Sequence, residues 1–223
     1  MRDFVSERFG GAVHSVSDSI PLGPGLVLQG TRLSFDRNEE IFGQGEAADY
    51  VYRVVSGAVR TIRYGSDGRR QILSFHLPGD VFGLEFGAVH SLSAEAVGDT
   101  EIAAIRRSMI DTAAAEDPAA ARALVELTQR QLHDVQEHAI VLGRKGAGER
   151  VAAFLLQLTE RASRRGEIEL PMSRADIADY LALTIETVSR AFTQMERDNT
   201  IALPSSRRVV VRDRNALEML EAA

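Results

Sequence analysis

The sequence predicts an α+β chain: antiparallel β-structure first, one long helix next, and a winged helix-turn-helix last. Three observations carry that prediction. From Leu22 to about Ile105, short apolar runs alternate with Gly- and Pro-bearing turns, the pattern of a β-sandwich or barrel. After Pro118, the residues Val125, Thr128, Leu132, Val135, Ala139 and Leu142 recur at alternating spacings of three and four, an a/d heptad seam. Finally, SRADIADYLALTIETVSRAF, from Ser173 to Phe192, holds two short amphipathic segments joined by about three residues.

Residues 1–20 carry many Ser, Gly and charged groups without periodicity, and a loosely ordered arm is expected there. The strand-like runs that follow are VLQG, RLSF, EIFGQGE, YVYRVVSG, AVRTIRY, QILSFHL, VFGLEF and EIAAI. Ser66-Asp67-Gly68 between two of them is a hairpin signal, and Pro78-Gly79-Asp80 fits a tight turn. Ser108 to about Leu142 reads as helix broken near Asp117-Pro118, because proline removes a donor and crowds the preceding turn. The heptad seam fits two uses: pairing with a twin helix, or lying as an ordinary amphipathic face against its own sheet. LGRKGAG ends the helix, and Gly146 and Gly148 suit a chain reversal. ERVAAFLLQLTER, from Glu149 to Arg161, is an apolar-faced helix.

In the helix-turn-helix, Ser173 is expected as an N-cap, with Asp176 completing a capping-box-like pair. Ile177, Ala178 and Leu181 share one face, Ala182-Leu183 interrupts the pattern, and Thr184 caps a second helix. Val188 and Phe192, one turn apart, should pack inward. Ile185, Glu186, Ser189 and Arg190 then occupy the opposite, exposed arc. Thr200 to Leu203, Pro204-Ser205-Ser206 and Arg207 to Val211 read as strand, turn and strand: a β wing with Arg207 and Arg208 near its tip. Asn215 to Leu220 reads as a short helix.

Composition bounds the function. The 223 residues are 44% hydrophobic and 26% charged, enough to bury real cores in a soluble protein. No apolar run is long enough for a membrane span, and MRDFVSERFGG lacks the apolar core of a signal peptide, so a cytoplasmic location is expected. With no cysteine, disulfides, thiolate metal sites and cysteine-ligated iron–sulfur clusters are excluded, and no cofactor is expected. The net charge of −6 is unevenly divided: Arg144 to Arg212 holds 12 Lys/Arg against 9 Asp/Glu, a net of +3, and the remainder carries −9. A mildly basic C-terminal part can meet nucleic acid where the acidic remainder would not.

At Glu186 to Arg190, the run E-T-V-S-R is similar to the recognition helix of the Crp/Fnr family of bacterial transcription regulators. MSRADIADYLALTIETVSR most resembles the FixK/FnrN branch. The resemblance covers nearly all the chain after the first twenty residues. IFGQGEAADYVYRVVSGAVR followed by HLPGDVFGLE resembles the β-roll (a jelly roll) of cyclic-nucleotide-binding-type domains, with Gly43, Gly45, Gly57, Gly79 and Gly83 at the family's turn positions. The resemblance implies a β-roll over 21–113, a dimerisation helix over 114–143 and a winged helix-turn-helix over 144–223. It also implies a homodimer that activates transcription through RNA polymerase, for low-oxygen metabolism and nitrogen fixation, on a TTGA-type inverted repeat of double-stranded DNA.

Several residues are candidates for that work, and none for catalysis: no nucleophile elbow or phosphate-binding P-loop is present. Arg190 can donate two bonds to guanine O6 and N7, Glu186 can accept from cytosine N4 or adenine N6, and Ile185 can touch a thymine methyl. Ser189 can reach a base edge or a phosphate. The Glu186–Arg190 spacing also fits an ordinary i,i+4 ion pair. Arg174, Thr184 and Thr187 match phosphate-contacting positions of the family and equally suit capping and surface charge; Arg207 is a further phosphate candidate. For a cyclic nucleotide, Gly83-Leu84-Glu85 sits near the family's ribose-binding Gly-Glu pair. The phosphate-binding Arg-Ser pair aligns with His90-Ser91, so the neutralising arginine is missing and this ligand is not expected. A different effector in the β-roll stays open, as does a cupin-like metal enzyme on His76, Glu85 and His90, although these lack a His-x-His pair.

Overall fold

The computed structural model describes residues 17–65, 68–161 and 166–222. Most of the expected N-terminal arm and the Ser66-Asp67 tip of the expected hairpin lie outside the described residues. The strands β1 (Ser17–Gly23), β2 (Leu26–Phe35), β3 (Glu40–Phe42), β4 (Tyr50–Ser56), β5 (Val59–Tyr64), β6 (Arg70–His76), β7 (Val81–Phe82), β8 (Ser93–Ala96) and β9 (Thr100–Arg106) come first. They make two antiparallel sheets, β1-β2-β9-β4-β7 and β3-β8-β5-β6. Ser17 to Ile20, expected in the loose arm, instead pair with Thr31 to Leu28. Ile20 and Leu22 alternate into the core there, an apolar period too brief to stand out among polar neighbours.

Strands β4 and β9 are covered on both faces, so their sequences run apolar almost without alternation. One face, with Tyr50, Tyr52, Val54, Ile102 and Ala104, joins Phe42 and Phe82 in the core. Ring centroids lie 5.3 Å apart for Phe42 and Tyr52 and 5.2 Å for Tyr52 and Phe82. The other face, with Val51, Ala103 and Ile105, packs against two helices, α1 (Arg107–Glu116) and α2 (Pro118–Arg144), through Ile110, Ala120, Ala123 and Leu127. Strand β8 was not legible in the sequence because its inward residues, Ala94 and Ala96, are small. Their aromatic neighbours fill the volume between the sheets. On the reverse of β8, Glu95 is paired with the buried Arg60 at 2.5 Å, and Asn38 takes a further bond from the same guanidinium at 3.1 Å. That satisfies a cation that could not be left alone away from water.

The chain divides into two compact units between His133 and Asp134, within α2. The expected boundary at 143/144 falls later, at the end of that helix. The second unit contains α3 (Ala147–Arg161), β10 (Glu167–Glu169), α4 (Arg174–Leu181), α5 (Ile185–Arg197), β11 (Ile201–Ser205), β12 (Arg208–Val211) and α6 (Arg214–Ala222). Its sheet runs β10-β12-β11; β10, three residues long, was too short to show a period in the sequence. Pro204 sits in β11 because that strand is at the edge and needs no donor there.

The glycine-driven reversal expected at LGRKGAG is corrected by the structure. Gly143 lies inside α2, Gly148 lies inside α3, and only Lys145-Gly146 separates the two helices. Neither Gly146 nor Gly148 has positive φ. Arg150 does the joining. Its Nε donates to the Lys145 carbonyl at 2.8 Å, its Nη2 to Leu142 at 2.9 Å and its Nη1 to Leu181 at 2.9 Å. One guanidinium therefore satisfies carbonyls left over at the ends of α2 and α4. Nearby, His138 of α2 stacks on Tyr180 of α4, with centroids 4.0 Å apart.

Two outcomes are expected. Gly57 has φ of 78°, and a Cβ there would come within 2.5 Å of the Asp99 carbonyl oxygen. Gly57→Ala should lose about 2 kcal/mol or more of stability, read as a lower urea midpoint at unchanged slope. Burial holds the His138 imidazole below its ordinary range, opposed by a hydrogen bond to the Tyr180 backbone. The unfolded chain therefore takes up that proton first as pH falls. This contribution to stability is complete above about pH 6.5 and is lost as pH drops below it through the depressed folded value. His138→Phe should flatten the decline of the urea midpoint between about pH 7.5 and about pH 5.5; an equally steep decline in the variant would assign the slope to other groups.

Candidate nucleic-acid interface

The site is built from α4 and α5. Ser173 caps α4: its Oγ accepts from the Asp176 N–H at 3.1 Å, while its own N–H donates to Asp176 Oδ2 at 3.0 Å. This closes the capping box expected from the sequence. Ile177, Ala178 and Leu181 are buried. The helix ends at Ala182, which is left-handed at φ 52° and ψ 47°, and Leu183 N–H returns to the Ala178 carbonyl at 2.9 Å. Glycine usually takes such a position; here an exposed alanine does. Thr184 then caps α5 by accepting from Thr187 N–H at 3.2 Å, and the two hydroxyls meet at 3.0 Å. Capping thus occupies part of the bonding capacity of two residues expected at the phosphates.

Val188, Phe192 and Met195 are buried, so the 3.6-residue period turns Ile185, Glu186, Ser189 and Arg190 outward. All four are exposed, Ile185 at 48% despite being apolar. The Glu186 carboxylate is held below its usual range first by its own backbone N–H, then by the Thr184 hydroxyl, with Arg190 a smaller influence. Among the described residues no ion pair joins Glu186 to Arg190, and Arg190 has no other ion-pair partner. The guanidinium with the chemistry for a guanine edge is therefore uncommitted.

Arg174 is placed differently from a freely exposed cation. Its guanidinium lies 3.3 Å from the Phe192 ring centroid, Nη1 is buried without a hydrogen-bond partner among the described residues, and burial lowers its pKa to about 10. The residue is still charged near neutrality, but its stack on a buried aromatic of α5 also ties the two helices together. At the wing, Arg208 pairs with Glu167. Arg207 is exposed, and among the described residues only its backbone is engaged, its N–H donating to Ser205 Oγ at 3.3 Å and its carbonyl accepting from Leu170 N–H at 2.7 Å. Sequence reasoning missed Arg150 and His138, which reach Leu181 and Tyr180 of α4, well along the chain.

The seam residues Val125, Thr128, Leu132, Val135 and Ala139 are exposed on α2, and Leu142 is half-buried. Ile140, also 48% exposed, widens the apolar stripe beyond the heptad template. Thr128 turns its hydroxyl onto the Leu124 carbonyl at 2.9 Å, which hides its polarity within the helix. The alternative, that the seam is the face lying on the roll, is corrected: Ala120, Ala123 and Leu127 serve there.

In the roll, Glu85 Oε1 accepts from Ser91 N–H at 3.0 Å and its hydroxyl at 3.1 Å. His90 is buried and stacked on Phe42 with centroids 3.7 Å apart. The donors that align with a phosphate-binding serine therefore already hold a carboxylate. His76 lies against Thr61 Oγ1 at 3.3 Å and Phe82. Glu85 and His90 come within 3.7 Å of each other, but among the described residues no group of three or more His/Cys/Asp/Glu could hold a metal ion.

Comparison with known proteins accords with both units. Residues 149–220 match the Crp-like helix-turn-helix domain and residues 32–117 the cyclic nucleotide-binding domain. The chain is 51% identical over 202 residues to the nitrogen fixation regulation protein FixK of Azorhizobium caulinodans, covering 88% of this chain and 82% of that protein. It is 44% identical to FixK of Rhizobium meliloti, with 89% and 92% covered. The solved structure of FixK2 from Bradyrhizobium japonicum superposes with a TM-score of 0.85 at 49% identity, covering 88% of this chain and 99% of that one. The chain belongs to the Crp/Fnr family of transcription regulators, beside the FixK proteins.

Proposed function

We propose that this chain is a cytoplasmic, homodimeric transcription activator of nitrogen-fixation or low-oxygen genes. It reads a TTGA-type inverted repeat and acts through RNA polymerase. The observation that carries the reading is the exposed arc of α5, with an uncommitted Arg190 between buried Val188 and Phe192. The names of its relatives, FixK and the activators AadR of Rhodopseudomonas palustris and Anr of Pseudomonas protegens, support the regulon and the direction of control. Crp-family regulators act as dimers, and the exposed stripe on α2 is a surface for a twin. A two-fold pair would present its recognition helices about 34 Å apart, one turn of duplex. Arg207 at the wing and Arg174 beside α5 supply phosphate contacts that add affinity without choosing sequence. Cyclic nucleotide is not the effector in this reading, because an incoming phosphate would meet the Glu85 carboxylate in place of an arginine.

Arg190→Ala should leave the fold intact and cost about 1–3 kcal/mol per half-site, doubled over independent half-sites. It should also erase discrimination between a TTGA palindrome and a copy with the guanine replaced. Arg174→Ala should weaken both duplexes nearly alike, with a salt slope shallower by about one unit per lost contact. The lost stack on Phe192 should lower its thermal midpoint as well. Fluorescence anisotropy on both duplexes checks these; an Arg190→Ala protein that still discriminates as the parent does would end the base-reading assignment. Leu132→Glu should desolvate an unpaired carboxylate between twin helices at a cost of several kcal/mol. Sedimentation should then show monomer with weaker operator binding, and an undisturbed dimer would move the interface elsewhere.

A further inference from the structure

The loop after β7 carries a feature that DNA reading does not use. Phe86 is fully exposed, and Val89 three residues on is 51% exposed. The loop beneath them is braced on every side. Gly83, at φ 77°, passes the Tyr52 ring so closely that a Cβ would come within 2.8 Å of it. Leu84 packs against the cluster containing Leu127. Arg107 Nη1 donates to the Gly87 carbonyl at 2.5 Å and Nη2 to the Phe86 carbonyl at 3.4 Å. Glu85 is tied to Ser91. The backbone is therefore held while the Phe86 ring is left in water. A fixed aromatic offered to solvent is the kind of group that anchors interfaces.

The loop's position names the partner. Gln131 of α2 donates to the Val81 carbonyl at 2.8 Å, which holds β7 against that helix. Gln131 is a helical neighbour of Thr128, a member of the exposed stripe. Gln131 thus ties the strand that leads into this loop to the edge of the stripe beside Thr128. In a two-fold parallel helix pair, one edge of each stripe meets the opposite edge of the other. The edge opposite Gln131 is the one that carries Gln129.

We infer that Phe86 is an anchor of the homodimer, packing beside Gln129 on α2 of a second copy, so that the roll as well as the helix holds the twin. This inference rests on the homodimer reading and adds a contact to it.

The cysteine-free chain makes the test direct, since any introduced thiol is unique. Differently tagged F86C and Q129C chains, mixed and treated with a short bismaleimide, should give a mixed crosslink that mass spectrometry assigns to positions 86 and 129. L132C chains alone should give twin-to-twin crosslinks through the stripe. F86A, at an exposed position, should fold normally and dimerise about tenfold more weakly by sedimentation. L132C crosslinks with no 86–129 crosslink and an F86A dimer as tight as the parent would overturn the inference and leave the homodimer standing. Absence of both crosslinks would remove the homodimer reading and this contact with it. F86A chains that dimerise as the parent does but activate less in a reporter assay would reassign Phe86 to another protein partner.

Discussion

Burial of Val188, Phe192 and Met195 on one side of α5 is the constraint from which the rest of the proposed DNA site follows. Once those three are committed to the core, helical geometry leaves no choice about which arc faces outward. The caps define where that arc starts. Thr184 opens α5 and the Ser173–Asp176 box opens α4, so the intervening turn is as short as one left-handed residue allows. Arg174 adds a second tie by stacking on Phe192. The proposed phosphate contact and the placement of the helices thus fall to one side chain.

The long helix is asked to serve two masters. Ala120, Ala123 and Leu127 face the roll, and the two small alanines let the helix lie close to the sheet. The opposite face keeps Val125, Leu132, Val135 and Ile140 in solvent. A monomer gains nothing from that stripe, and exposed apolar area of this kind marks an association surface. At its far end the same helix is fastened within the second unit by Arg150 and by the His138–Tyr180 stack. A helix that forms the proposed twin contact is thus bonded to α4, which immediately precedes the recognition helix.

The roll shares the architecture of a nucleotide receptor but fills its interior with its own groups. Phe42, Tyr52 and Phe82 stack between the sheets, and His90 lies against Phe42. Glu85 satisfies the Ser91 donors internally. A carboxylate already bonded to those donors opposes a second anion there.

Much of this was legible in the residues. Periodicity of two and of 3.6, the caps at Ser173 and Thr184, and the proline at 118 are local signals, and they delivered the strands, the long helix and the exposed arc of α5. Signals failed where elements were too short or too bland to show a period: Ser17 to Ile20, the alanines of β8, and the three residues of β10. The hinge was misjudged because glycines were taken to make the reversal, whereas the Arg150 guanidinium holds it by bonding the Leu142, Lys145 and Leu181 carbonyls. Sequence by itself determined which residues are apolar, where helices begin, and which charges share an arc. Only the tertiary structure decided that Arg174 lies on Phe192, that Arg150 caps two helices, and that Glu85 occupies Ser91: the first two depend on groups that folding brings together from separate elements, the third on the path of one irregular loop.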